Sequence, residues 1–318
     1  MTVVSGPPAA ISVEGLTKTY PGGVEAVRGV DFTVAPGEVF GLLGPNGAGK
    51  STTIGMLTTA VLPTAGRATL AGFDVVRQPL AARRVSSVVF QDAVVDKGLS
   101  GRKNLLLHAR LWNVAPARAS QQIADLSEAF GLTQVLNRAI ETYSGGQRRR
   151  LEIARALVSS PQVLFLDEPT VGLDTRIRYE LLDLISGLRD RTNMTTLLTT
   201  HYLDEAERLC DRIAIVHLGR IVAMDTPAGL LGQLGTQILE LRVDTDPVAA
   251  LAILRARHLA GEDAFTVGAT LTVPLHKVTA RDAVGVVTDL GLSTTAISTR
   301  PPTLDDVYLR LTGARLAA

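Results

Sequence analysis

The stretch Gly44-Pro45-Asn46-Gly47-Ala48-Gly49-Lys50-Ser51-Thr52 fits the pattern G-x-x-x-x-G-K-[ST] and decides the fold of the chain. It follows the apolar run Val39–Leu43, and a helical pattern begins at Lys50. Glycines let backbone N–H groups turn inward around a phosphate, and the N-terminus of the helix adds partial positive charge. The sequence therefore predicts a phosphate-binding loop in which Lys50 reaches the β- and γ-phosphates of a nucleotide and Ser51 ligates Mg²⁺.

A second apolar run, Val163–Leu166, ends in two adjacent carboxylates, Asp167 and Glu168. A run bounded by Pro161 and these acids is typical of a buried parallel strand. An Asp-Glu pair by itself is about as well explained by a strand that leads into a helix cap, but the loop at Lys50 favours chemistry. We predict that Asp167 holds Mg²⁺, directly or through water, and that Glu168 polarises the water that attacks the γ-phosphate.

The phosphate loop alone does not separate GTPases, kinases and helicases from other nucleotide-binding proteins, and a third segment, Tyr143-Ser144-Gly145-Gly146-Gln147, is more specific. Ser144 can cap a helix whose first N–H groups, free of side chains at Gly145 and Gly146, bind an anion. The alternative is a simple glycine-rich helix start. A second anion site in a chain that already has a phosphate loop suggests that the nucleotide lies between two copies.

Together, these motifs make residues 11–234 resemble the ABC ATPase superfamily, and Tyr143–Gln147 is similar to its LSGGQ signature with Tyr in place of the first Leu. The resemblance implies that two cassettes dimerise head to tail and that each signature loop, Ser144 to Gln147, closes on the ATP of its partner. Since every position needed for hydrolysis is filled, it implies an active ATPase with ATP and Mg²⁺ as cofactors.

The resemblance also assigns roles to four isolated residues. Tyr20 is similar to the aromatic residue that stacks on adenine, and Gln91 to the Q-loop glutamine that contacts Mg²⁺ or water and takes part in catalysis. Asp174 resembles the D-loop residue that crosses the dimer interface beside the nucleotide. His201 resembles the switch histidine that contacts the γ-phosphate. Each of these residues alone would be an ordinary strand or loop residue, and their order and spacing make the set specific.

Two longer stretches, Leu198–Ala206 and Pro302–Tyr308, are similar to the daunorubicin-resistance type of exporter ATPase. Such proteins are separate ATPase subunits that pair with a membrane permease in a two-plus-two complex and expel drugs, antibiotics or lipid-like compounds. The resemblance therefore implies a second cassette, by preference another copy of this chain, and a separate permease as partners. The helical stretch over residues 91–142 is expected to contact the permease.

The predicted fold is α/β. It is a P-loop NTPase ABC cassette with a RecA-like α/β core, an antiparallel β subdomain, a helical subdomain over about residues 91–155 and a small C-terminal α+β appendage. We expect a disordered leader over residues 1–10, the cassette over residues 11–234 and the accessory domain over residues 235–318.

The composition argues against other classes. A net charge of +1 and an aromatic share of 4% do not favour nucleic-acid binding, and the single Cys210 allows no intrachain disulfide and no cysteine metal site. The chain has no run of about 18 apolar residues, and its start has no basic or apolar region typical of a signal peptide. Given the permease that the resemblance implies, we expect a protein held peripherally, through that permease, at the cytoplasmic face of the cell membrane.

Three alternatives stay open at this point. An importer ATPase often ends in a β-barrel regulatory domain, which the pattern after residue 234 does not favour. A translation or repair factor of the ABC type usually has two cassettes or a coiled-coil insertion in one chain, neither of which is visible here. A binding module without hydrolysis is disfavoured by Glu168 and His201.

Overall fold

The computed structural model describes residues 8–92, 94–191, 193–276 and 278–313. The chain forms two compact units that divide between Val222 and Ala223. The domain boundary predicted from the sequence, after Leu234, lies inside the second unit. Of the predicted leader over residues 1–10, residues 1–7 lie outside the described residues, and Ala10 donates a backbone hydrogen bond to Val34.

An antiparallel sheet of four strands, in the order β2-β1-β4-β5, forms the first layer of the first unit. Its strands are β1 (Ile11–Tyr20), β2 (Val24–Val34), β4 (Ala65–Leu70) and β5 (Phe73–Asp74). β1 pairs with both β2 and β4, and its apolar residues Ile11, Val13 and Leu16 are buried. The sheet shares one hydrophobic core with the strand that precedes the glycine-rich loop.

A six-stranded sheet in the order β10-β9-β3-β8-β7-β6 forms the centre of this unit. Its strands are β3 (Val39–Leu43), β6 (Ser86–Val89), β7 (Val163–Asp167), β8 (Thr195–Thr200), β9 (Arg212–His217) and β10 (Arg220–Asp225). β6, β7, β8, β3 and β9 are parallel. Every residue of β3, β7 and β8 is buried, as expected for central parallel strands. Their carboxyl ends therefore bring the segments after Leu43, Leu166 and Thr200 to one edge.

The helices of the first unit surround this sheet. They are α1 (Lys50–Leu57), α2 (Pro79–Val85), α3 (Gly101–Leu111), α4 (Pro116–Ala129), α5 (Gly145–Leu157), α6 (Thr175–Arg191) and α7 (Leu203–Leu209), with a 3₁₀ turn at Ile140–Thr142. α3 and α4 pack on each other and on α5, and α5 also packs on β6 of the sheet. In the part of the chain that the structure describes, no helix is both long enough and apolar enough to cross a bilayer.

The second unit contains a four-stranded antiparallel sheet in the order β12-β13-β11-β14. Its elements are α8 (Pro227–Gly232), β11 (Gln237–Val243), α9 (Pro247–Ala256), β12 (Phe265–Val267), β13 (Thr270–Leu275), α10 (Ala280–Asp289), β14 (Thr294–Arg300) and α11 (Leu304–Thr312). α9 and α10 share one core with the sheet. The sequence β-α-β-β-α-β with this strand order is a ferredoxin-like arrangement.

Candidate functional site

The glycine-rich loop lies between β3 and α1, and two of its glycines are required by close backbone contacts. A Cβ atom on Gly44 would lie 2.3 Å from the carbonyl oxygen of Val216. A Cβ atom on Gly49 would lie 2.4 Å from the carbonyl oxygen of Ala26, and Gly49 also has a left-handed φ of 105°. No side chain larger than hydrogen fits at either position without moving backbone.

Lys50 is the first residue of α1 and is only 4% exposed. Its Nζ donates to the carbonyl oxygens of Gly44 at 2.7 Å and Pro45 at 3.1 Å, and lies 3.1 Å from Oε1 of Glu168. Two carbonyls of the loop therefore hold the ammonium group beside the carboxylate of Glu168, the residue that follows β7. A buried cation fixed in this way can receive the negative charge of a phosphate.

Asp167 is the last residue of β7, and its Oδ1 accepts two hydrogen bonds from hydroxyl groups. Ser51 Oγ donates at 3.0 Å, and Thr199 Oγ1, from β8, donates at 2.6 Å. The carboxylate and hydroxyl oxygens are the hard donors that Mg²⁺ prefers, and Mg²⁺ takes its other ligands from water and phosphates. The oxygens of Ser51 and Asp167 therefore fit a metal shared with phosphates. Among the described residues, no cluster of three or more His, Cys, Asp or Glu side chains could hold a metal.

Glu168 has a left-handed backbone conformation, with φ at 44°, which is uncommon for a residue other than glycine. Its N–H donates to Thr199 Oγ1 at 3.0 Å. Its Oε1 lies 3.1 Å from Nζ of Lys50 and 3.3 Å from Nδ1 of His201. This turn therefore directs the carboxylate back toward the loop, between a cation and an imidazole.

The structure thus brings five of the predicted site residues together at the carboxyl edge of the central sheet: Lys50, Ser51, Asp167, Glu168 and His201. Three other predicted residues do not contact this cluster in the described part of the chain. Tyr20 ends β1, is 36% exposed and has its ring beneath Lys18 Nζ. Gln91 is exposed after β6, and Asp174 accepts a hydrogen bond from the N–H of Ile177 in the first turn of α6.

The predicted signature segment forms the N-terminus of α5. Ser144 Oγ accepts from the N–H of Gln147 at 3.2 Å, and Gln147 Oε1 accepts from the N–H of Ser144 at 3.0 Å, which is a reciprocal capping box. A Cβ atom on Gly146 would lie 2.6 Å from Ile177 Cγ2, whereas one on Gly145 would meet nothing closer than 3.9 Å. Packing on α6 therefore requires a glycine at position 146. It does not explain the glycine at position 145.

Sequence reasoning missed several residues that support the site. Thr199 binds both Asp167 and Glu168, and nothing singled it out among the four threonines of β8. Glu205 of α7 accepts hydrogen bonds from Thr170 and from Thr200. Burial raises the pKa of Glu205, and the bonds from the two threonines and the charge of Arg178 offset only part of this rise. This pair of bonds ties the segment after Glu168 to the segment that carries His201.

A groove of about 300 Å³ lies beside the sheet, between the end of β6 and the helices α3 and α5. Its exposed apolar side chains are Phe90, Val94, Leu111 and Trp112. His108 stacks on Trp112 with ring centroids 4.4 Å apart, and burial, helped by the charge of Arg155, lowers the pKa of His108 to about 4. The titratable side chains that line the groove are Arg83, His108 and Arg155.

Comparison with known proteins gives consistent results. The sequence pattern of the family described as ABC transporter matches residues 27–171. The daunorubicin/doxorubicin resistance ATP-binding protein DrrA of Streptomyces peucetius is 42% identical, over 96% of this chain and 93% of its own length. The Nod factor export ATP-binding protein I of Rhizobium meliloti is 38% identical, over 98% of this chain and 90% of its own length.

Solved structures show the same fold. CbiO1 from Clostridium perfringens, part of the ABC transporter complex CbiONQ, matches with a TM-score of 0.66 and 25% identity, over 71% of this chain and 92% of its own. The dimeric ATP-binding cassette MJ0796, in a post-hydrolysis state bound to ADP and Pi, matches with a TM-score of 0.62 and 23% identity, over 68% of this chain and 98% of its own. The α/β cassette fold predicted from the sequence is thereby confirmed.

Proposed function

Because the chain belongs to the ABC transporter family, we propose that it binds and hydrolyses ATP as the motor subunit of an exporter. The exporter moves a drug, antibiotic or lipid-like compound through a separate membrane permease. The relatives at 38–42% identity are proteins of drug resistance and of Nod factor export, which supports export over import. The single observation that carries the ATPase assignment is the convergence of Lys50, Asp167, Glu168 and His201 within one cluster.

In this proposal, Lys50 and the N–H groups of the loop bind the β- and γ-phosphates of ATP. Glu168 accepts a proton from a water molecule while the water oxygen bonds to the γ-phosphorus and the bond to the β-phosphate oxygen breaks. His201, which lies 3.3 Å from Glu168 Oε1, contacts the γ-phosphate and keeps the base oriented. Gln91 and Tyr20 act as the resemblance implies, as the Q-loop glutamine and as the platform for adenine.

Ser51 and Asp167 would hold Mg²⁺, with Gln91 as a further ligand. The ion supplies charge neutralisation for the phosphates when it is bound. Thr199 keeps the Asp167 carboxylate turned toward Ser51, since its hydroxyl donates to the same oxygen, Oδ1, that accepts from Ser51.

The second anion site, at the N-terminus of α5, is proposed to close on the ATP of a second cassette. Ser144 and Gln147 satisfy each other in the capping box, and Gly145 leaves its N–H open to an approaching phosphate. We propose a homodimer in which Asp174 lies at the interface. The cassette that matches in dimeric form supports this arrangement through its fold alone.

The groove beside β6 is proposed to dock a cytoplasmic helix of the permease, which holds the chain peripherally at the membrane. Four exposed apolar side chains around one concave site are typical of a helix-binding groove. The groove lies next to Gln91, which follows Phe90 in the chain, so that docking and the nucleotide site share one short segment. ATP-driven closure of the dimer would then be transmitted to the permease through this contact.

Substitution of Glu168 tests the ATPase assignment. In Glu168→Gln, we expect ATP binding to persist and turnover to fall about 100-fold or more, because a general base contributes factors of this size. The variant should also accumulate as an ATP-bound dimer, measured by size-exclusion chromatography with light scattering beside a phosphate-release assay. Hydrolysis by this variant at the wild-type rate would show that the base is misassigned.

Substitution of Leu111 tests the docking groove. Leu111 is 69% exposed, so Leu111→Asp should fold normally but weaken binding of the co-expressed permease about tenfold, since a buried charge would face the incoming helix. Leu218→Asp is the matched control, because Leu218 is 64% exposed in the turn between β9 and β10 and its positive φ tolerates Asp. Co-purification from detergent extracts measures both, and equal retention of the two variants would argue against the groove.

A further inference from the structure

Arg149 lies in the first turns of α5, two residues after Gln147, and is 7% exposed. Its Nε donates to the carbonyl oxygen of Pro169 at 2.6 Å, and its Nη2 donates to the carbonyl oxygens of Asp167 and Glu168, each at 3.2 Å. A guanidinium group from the signature helix therefore binds three consecutive carbonyls at the end of β7.

The remaining nitrogen of Arg149 reaches two further elements. Nη1 donates to the carbonyl oxygen of Phe90 at 2.6 Å and to Oε2 of Glu152 at 2.9 Å. Glu152 is 4% exposed and lies one turn further along α5, so it compensates the buried positive charge. With five hydrogen bonds to five acceptors, the whole donor capacity of the guanidinium is used.

Four of these acceptors lie beside proposed catalytic residues: three in the segment 167–169, which contains Glu168, and one at Phe90, which precedes Gln91. Glu168 carries the catalytic carboxylate and holds an unfavourable left-handed φ of 44°, which persists only if its surroundings enforce it. Its N–H is held by Thr199 and its carbonyl by Arg149, so the peptide groups on both sides of its Cα are fixed. Phe90 immediately precedes Gln91 in the chain.

We propose that Arg149 is a positioning residue that holds the backbone of Glu168 in its left-handed conformation and locks it to the signature helix and to the segment that carries Gln91. It does not touch the nucleotide in this role. Movement of α5 toward the ATP of a partner cassette then carries the catalytic carboxylate of its own chain with it. The inference rests on the proposed ATPase function and adds a residue that the family motifs do not single out.

Lysine cannot replace arginine in this role. A lysine keeps the buried charge beside Glu152 but supplies three donors from a single nitrogen. One nitrogen cannot reach the four carbonyl oxygens that Arg149 binds. Arg149→Lys therefore separates the effect of the charge from the effect of the planar, forked geometry.

The test is steady-state ATP hydrolysis by the full chain. For Arg149→Met we expect kcat to fall about 100-fold, because a misplaced base costs factors of this order, while KM for ATP changes by less than about threefold. Arg149→Lys should show the same pattern with a kcat loss of about tenfold. Arg67→Met is the control, since Arg67 is exposed on β4 and forms its ion pair with Asp74 in the antiparallel sheet, and it should keep the wild-type kcat.

A double-mutant cycle distinguishes positioning from loss of structure. If Arg149 acts through Glu168, the residual hydrolysis of Glu168→Gln and of Glu168→Gln with Arg149→Met should agree within about twofold, because the base that Arg149 positions is already gone. A further fall in the double variant, or a parallel rise in KM for ATP, would overturn the proposal. If Arg149→Met does not fold, the same cycle is run with Arg149→Lys and judged by the same outcomes.

Failure of this inference can be told apart from failure of the proposed function. If the chain is not an ATPase, neither the wild-type chain nor Arg67→Met hydrolyses ATP. If only the role of Arg149 is wrong, both of these hydrolyse ATP and Arg149→Met does so with an unchanged kcat.

Discussion

Thr199 is fully buried in the central sheet, and its single hydroxyl serves two acidic residues at once. It donates to the carboxylate of Asp167 and accepts from the backbone N–H of Glu168. An apolar residue at this position would remove one hydrogen bond from the Glu168 N–H, which also donates to the Thr199 carbonyl, and one from Asp167 Oδ1, which also accepts from Ser51. Each lost bond costs about 0.5–1.5 kcal/mol. The hydroxyl of Thr199 is therefore explained by the acids at the end of the neighbouring strand, β7.

His108 provides a prediction for the dependence of stability on pH. Burial, with the charge of Arg155, lowers the pKa of His108 to about 4 from 6.5, so the unfolded chain binds a proton more readily than the folded chain. The stability that His108 contributes is present above pH 6.5 and is lost as the pH falls from 6.5 toward 4. Between pH 7 and pH 5, this linkage removes about 2 kcal/mol from the free energy of unfolding.

In His108→Phe, which retains an aromatic ring to stack on Trp112, the loss of stability between pH 7 and pH 5 should be smaller by about this amount, about 2 kcal/mol. Urea unfolding at the two pH values measures it. His258→Asn is the control, because His258 is exposed and has a positive φ that Asn tolerates. An equal dependence on pH in wild type and His108→Phe would contradict the assigned cause.

At the scale of the element, the start of α5 separates two roles for adjacent glycines. In Gly146→Ala, the new methyl group meets Ile177 Cγ2 at 2.6 Å, and we expect a loss of about 1–3 kcal/mol in stability from overpacking against α6. Thermal unfolding measures this loss. Adding Ile177→Ala to this variant should restore part of the melting temperature, because it removes the Cγ2 atom that the new methyl group meets.

Gly145→Ala is the matched variant one residue earlier. Its methyl group has free space, so stability should change by less than about 1 kcal/mol. Hydrolysis should nevertheless fall, because the methyl group obstructs the N–H groups proposed to meet the ATP of the partner. A variant that hydrolyses ATP normally would remove Gly145 from the proposed anion site.

The elements that could be predicted from the sequence are those whose signal is local. β3 and β7 are apolar runs with a chemical motif at one end, and the cap at Ser144 marks the start of α5. α9, with the sequence PVAALAILRA, is too uniformly apolar to show a helical face, and the sequence pattern did not predict it. Arg149 could not be found because its five acceptors include four backbone carbonyls, which leave no trace in residue identity.

At the scale of the whole molecule, the division between Val222 and Ala223 makes a prediction about truncation. Leu230 and Leu234 are fully buried, and α8 packs on α11 within the second unit. A chain ending at Leu234, the boundary expected from the sequence, would lose α11 and expose both leucines, each worth about 1.5–3 kcal/mol when buried. We expect it to aggregate on warming.

A chain ending at Thr226 retains β10 and the whole six-stranded sheet without these leucines. It should remain dispersed at the same temperature, as light scattering during a thermal ramp would show. Equal scattering from the two truncated chains would mean that α8 does not depend on the second unit. The boundary predicted from the sequence lies later because α8 has a regular cap at Thr226 and follows β10 directly.

Trp112 is the only tryptophan in the sequence. It lies in the groove beside β6, is 39% exposed and stacks on His108. The intrinsic emission of the chain, excited at the red edge of the absorption band, therefore originates from one surface of the molecule. Contact of a partner with that surface would change the colour of this emission directly. ATP binding or hydrolysis at Lys50 would change the tryptophan emission only if it altered the conformation of the groove. The fluorescence of Trp112 therefore reports directly on coupling between the nucleotide site and the groove.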